Sequence, residues 1–79
     1  MKKLLYSVKN ELNKQLYYVF FSLRGRLHGR YAKIWASTYF LARETAYELW
    51  GVEEVATIES NKENAENKIK LFKYKEIEL

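Results

Sequence analysis

Arg24-Gly25-Arg26-Leu27-His28-Gly29-Arg30 is the stretch of this chain whose residue types could do chemistry. Four side chains that carry or can accept a positive charge alternate there with Gly, Leu and Gly. In an extended strand alternate side chains share a face, so Arg24, Arg26, His28 and Arg30 would point to one side. Guanidinium forks match phosphates and carboxylates, and glycines let a backbone come close to a ligand. The chemistry on offer is recognition of an anion. The Lys-Ser/Thr ending of a phosphate-binding loop is missing. The plainer alternative is a solvated turn whose arginines keep the protein soluble.

Tyr31, Lys33 and Trp35 follow at every second position. On a strand they would project from one face, the arrangement of cations and rings that stacks and steers single-stranded nucleic acid. The competing expectation, which the apolar residues upstream favour, is that they pack beneath an N-terminal helix as ordinary core.

Catalytic equipment is sparse. His28 is the only histidine, and the chain has no Asp and no Cys. Hydroxyls are present at Ser22, Ser37, Thr38 and Ser60, but with one imidazole and only glutamates as acids they make no hydrolytic triad. Glu53 and Glu54 are neighbours, and neighbours on a strand point to opposite faces, which spoils them as a carboxylate pair. Glutamates and a single imidazole are a poor set for a metal, and neither a disulfide nor a thiolate site can form. The expectation is a non-enzyme without metal or cofactor. No run approaches the roughly 18 apolar residues of a membrane span, and Met1-Lys2-Lys3-Leu4-Leu5 is not followed by the rest of a signal peptide. A cytoplasmic protein is expected.

The net charge of +4 conceals a division. Residues 1–35 hold eight cations against Glu11 alone, whereas residues 36–79 hold six against nine glutamates. A chain divided this way can present a basic surface to an acidic partner, protein or nucleic acid.

The 79 residues suffice for one domain, 1–79, with a single small core. Met1, Leu4, Leu5, Val8, Leu12 and Leu16 recur at helical steps, predicting an amphipathic helix over 2–14 that docks on the body or on a second copy, which would make a homodimer. Leu16 to Leu23 is aromatic-rich and bounded by Gly25, predicting a strand covered on both faces. Arg30 to Ala36 alternates, completing a β-hairpin over 16–36 with Gly25 and Gly29 at positive-φ positions. Ser37 or Thr38 can cap a helix over 38–50, Gly51 can end it, and Ala42 and Ala46 let it approach a sheet. Arg43 is placed to stack on Tyr39 and Tyr47. Strands are predicted over 52–60, with Val52, Ala56 and Ile58 on one face and Val55 on the other, and over 70–79 as a charged edge. Between them a loop or helical turn is expected, with capping-box spacing from Ser60 to Glu63. The fold class is α+β: a small antiparallel-rich sheet in α-β-β-α-β-β order with helix 38–50 on one face.

The stretch ASTYFLARETAYELWG, residues 36–51, and the Lys/Glu/Asn-rich makeup resemble small accessory proteins of phages and mobile elements of Gram-positive bacteria, a class that includes anti-CRISPR proteins. The resemblance is of class and transfers no residue-level role. It implies an inhibitor that binds a host nucleic-acid-processing protein. Abundant Tyr, Trp and Arg, the residues enriched at interface hot spots, agree with a protein partner. Direct nucleic-acid binding through residues 24–30 is the alternative. The expected partner-binding residues are Arg24, Arg26, His28, Arg30, Tyr31, Lys33 and Trp35.

Overall fold

The computed structural model describes residues 14–78. The helix expected over 2–14, and with it any dimer contact through that helix, lies outside the described residues apart from Lys14. The elements run β1 (Gln15–Phe21), β2 (Arg30–Ala36), α1 (Tyr39–Trp50), β3 (Val55–Glu59), α2 (Lys62–Phe72) and β4 (Lys75–Glu76). The four strands form one sheet in the order β3-β1-β2-β4. β1 is antiparallel to both neighbours, while β2 and β4 are parallel. The class is α+β, and the helix expected over 38–50 packs on a sheet face.

Central position explains why β1 is apolar on both sides. Tyr17, Val19 and Phe21 join Ala32, Ile34 and Ala36 of β2 beneath α1, whose Ala42 and Ala46 are fully buried. Tyr18 and Phe20 face the opposite way and pack with Ala65 of α2, flanked by Leu16, Tyr31, Ile69 and Tyr74. The sheet is thus covered by one helix on each side.

Local rules set the helix limits. The Thr38 hydroxyl accepts from the Leu41 N–H at 3.1 Å, satisfying one of the free donors of the first turn. Gly51, at φ 97°, ends α1 by donating its N–H to Tyr47 O at 2.8 Å.

The second half departs from expectation. Residues 62–72 form a full helix, so the strand expected from 70 shrinks to Lys75–Glu76. Its N-cap is Asn61, accepting from the Asn64 N–H at 2.9 Å, and Ser60 lies outside the helix. β3 begins at Val55 because residues 52–54 are a turn. Its pairing with β1 skips Ala56: Phe20 opposes Thr57 and Phe21 opposes Val55. One extra residue reverses the alternation, so Val55 and Ile58 both reach the α1 core instead of lying on opposite faces. Arg43 stands over Phe40 and Tyr47, at 5.6 and 5.8 Å, while Tyr39 meets Tyr17 edge to face.

Candidate binding groove

The connection between β1 and β2 is a series of turns, so the four basic residues do not share one face. Gly25 N–H bonds to Ser22 O, His28 N–H to Gly25 O and Arg30 N–H to Leu27 O. Gly29 takes the positive φ expected of it, 85°, and Gly25 does not. At Gly25 a Cβ would meet the Glu54 carboxylate, which would have to shift from the Arg26 N–H that it accepts from.

Glu54 organises this connection, a role that its place in the sequence does not reveal. Its carbonyl accepts from Ser22 N–H at 2.7 Å and its carboxylate from Arg26 N–H at 3.1 Å. The Arg26 guanidinium lies 3.8 Å from the same carboxylate and is 88% exposed, so it serves a surface ion pair on the loop itself. Leu27 packs into the α1 core, and Gly29 O accepts from Lys75 N–H at 3.1 Å. The tip is therefore held from three sides.

The remaining expected residues part company. Arg30 donates to Glu76 O at 3.4 Å. Arg24 is exposed, and its side chain has no partner among the described residues. His28 lines a groove on the α2 side of the sheet. Tyr31, Lys33 and Trp35 do share a face, and that face belongs to α2. Tyr31 stacks on Tyr18 and its hydroxyl lies 3.5 Å from a Glu76 carboxylate oxygen, which is also 3.9 Å from Lys33 Nζ. Burial, then the Glu76 charge, raises the Tyr31 pKa; burial, then Glu66, does the same for Tyr18. Tyr31, Lys33 and Trp35 are all half-buried, and of them Tyr31 packs against the α2-side core.

The groove holds about 470 Å³. Its lining includes Phe20, Leu23, Ala56, Thr57 and Phe72, with Lys68 and His28 as its basic side chains. Leu23 is 74% exposed and Phe72 56%, large apolar groups left at the surface. Lys68 Nζ sits 4.5 Å above the Phe20 ring, a cation–π contact, and has no ion pair among the described residues. No carboxylate of the described residues lines the groove.

The C-terminal segment reaches the basic tip because α2 ends in a sharp reversal. Lys73 adopts the left-handed conformation at φ 57°, uncommon for a residue with a side chain. The Tyr74 ring then stacks on Phe72 at 5.6 Å, and Lys75 comes opposite Arg30 in the β2–β4 register. Lys68, Lys73 and Lys75 thereby join the basic end, although they belong to the acidic half of the sequence. Nothing in their local sequence signals this; only the sheet order brings them there.

Among the described residues no group of three His, Cys, Asp or Glu could hold a metal ion, and no helix is long and apolar enough to cross a membrane. Comparison of the chain with protein-family models, curated proteins and solved structures finds no match.

Proposed function

We propose that this chain is a non-catalytic binding protein that engages an acidic protein partner through the end of the sheet built from residues 22–30 and the C-terminal half of α2. One observation carries the reading: Lys68 and His28 line an apolar groove that no carboxylate of the described residues lines, and Arg24, Arg30, Lys73 and Lys75 are each next in the chain to one of its lining residues. Exposed apolar groups with a surrounding rim of one charge are the makeup of a protein-binding patch. The three attachments of the tip lower the ordering cost of docking. The narrower reading, a phage or mobile-element accessory protein that inhibits a host nucleic-acid-processing protein, draws on size and composition and adds no residue to the site.

Direct nucleic-acid binding has less support here. Stacking needs open ring faces. Phe20 is 2% exposed and lies under Lys68, Tyr74 is stacked by Phe72, and Tyr31 is packed on Tyr18.

The test is capture of the partner from nuclease-treated native extract, with wild type and with Arg24, Arg26 and Arg30 all changed to Ala. The triple variant should lose at least about tenfold of the recovery, while its stability stays within about ±0.5 kcal/mol because these side chains lie at the surface. Equal recovery would reject the basic end as the binding site. Recovery that disappears with nuclease would favour nucleic acid.

A further inference from the structure

Resting on that reading, we propose that the groove accepts one large apolar side chain of an acidic peptide segment, between Leu23 and Phe72, with a flanking carboxylate set on Lys68. The 470 Å³ of space falls within the range of about 300–1,000 Å³ of ligand pockets. Its lining is largely aliphatic and aromatic, and Leu23 and Phe72 remain mostly exposed, Phe72 with Tyr74 stacked on one side. Filling the space would remove Leu23 and Phe72 from water together, the gain that makes a buried anchor residue dominate an interface.

Lys68 decides the charge of the occupant. Its ammonium is held over Phe20 at 4.5 Å, half-buried and without a carboxylate partner among the described residues. A carboxylate beside the apolar anchor would meet a cation already in position, inside a site partly cleared of water, where a charge-assisted hydrogen bond is strongest. A basic segment would instead face Lys68, Lys73 and Arg24 together. The groove thus selects for acidity next to a large apolar group, a pairing that neither a purely acidic tail nor a purely apolar one provides.

A second copy of the chain offers a related surface on α1, where Phe40 and Leu41 are exposed beside Glu44. Groove to α1 would be a head-to-tail contact, which extends from copy to copy and does not close at two unless the rotation returns. Dilution separates that occupant from a foreign peptide.

The experiment titrates the full chain with three probes, Glu-Glu-Phe-Glu-Glu, Glu-Glu-Ala-Glu-Glu and a thymidine oligonucleotide, and follows backbone amide shifts by NMR. The Phe peptide should move Gly29, Thr57 and Phe72 and bind about tenfold more tightly than the Ala peptide, a ratio set by burial of one large side chain. Lys68→Gln and Phe72→Ala should each weaken the Phe peptide several-fold, while Lys62→Gln, at the far end of α2, should not. Equal affinity for the Phe and Ala peptides overturns the anchor and leaves the charge-based reading of the basic end standing. Absence of shifts at Gly29 and Thr57 with any peptide also overturns it. Displacement of the Phe peptide by the oligonucleotide would assign the groove to nucleic acid. Sedimentation that quickens with protein concentration, abolished by Phe40→Ser, would assign it to a second copy.

Discussion

The two faces of the sheet are built from the same strands and closed in different ways. Beneath α1, eight buried residues make one core, and the alanines at 42 and 46 bring the helix backbone close to β1 and β2. Beneath α2 only Tyr18, Phe20 and Ala65 are fully buried, and the space between bulky rings is bridged by Lys68 and Tyr74. Both helices meet the sheet through alanines, two in α1 and one, Ala65, in α2, so α1 has the longer line of close approach. The α1 face supplies stability. The α2 face has fewer buried residues and carries the groove.

The sharpest way to break this contrast is to truncate matched residues. Ile34, fully buried under α1, should cost about 2–5 kcal/mol on change to Ala. Ile69, only half-buried under α2, should cost about 1 kcal/mol on the same change, in proportion to the area it covers. Denaturant melts decide; equal costs would mean that the two faces share the load evenly.

Close approach of α1 gives the next effect. Ala46→Leu places three extra carbons where none fits and should cost about 1–3 kcal/mol. An unchanged melt would show that α1 can lift from the sheet without penalty.

The smallest effect is a pH dependence confined to the α2 face. Burial and nearby glutamates raise the pKa of Tyr18 and Tyr31 above the ordinary value of 10.0, so the folded protein keeps their protons longer than the unfolded chain does. The associated stability is fully present below pH 10, where both states are protonated, and is lost as pH rises through the higher folded value. Tyr18→Phe with Tyr31→Phe should flatten the alkaline decline in melting temperature. A decline of unchanged steepness would place its origin elsewhere.

The α1 face was largely legible in the sequence and the α2 face was not, for physical reasons. The aromatic run of β1, the caps at Thr38 and Gly51 and the paired alanines act locally, and each is a property of its own few residues. Residues 62–72 carry a thin apolar stripe, Ala65, Ile69 and Phe72, among Lys, Glu and Asn, and a helix of that kind is stabilised by the surface it lands on. The skip at Ala56 depends on β1, some 36 positions earlier, and cannot be seen in the alternation of β3 itself. The site was half legible. Arg24 and His28 stand at the groove end as a basic connection suggested, but Arg26 is diverted to Glu54 and Arg30 to the Glu76 carbonyl. Tyr31 and Lys33 are occupied with Tyr18 and Glu76. Lys68 and Phe72 are brought in by topology alone.

Sheet order also governs how the molecule assembles. β1 and β2 form a hairpin whose partners, such as Phe20 and Tyr31, lie close in the chain. β3 must then add beside β1, Tyr18 meeting Glu59, and β4 beside β2, Arg30 meeting Lys75. The first pairing is a local event, of the kind completed in about 1–10 μs, whereas the later two close long loops before any contact rewards them. Each outer strand arrives with its own helix, α1 before β3 and α2 before β4, so a helix and a sheet edge are secured in the same step. The groove borrows residues from the hairpin, from β3 and from α2, and it therefore comes into being only when the last of these additions is complete. A chain caught with β1, β2, α1 and β3 in place would hold most of the α1 core and lack Lys68 and Phe72, so the groove would not yet exist.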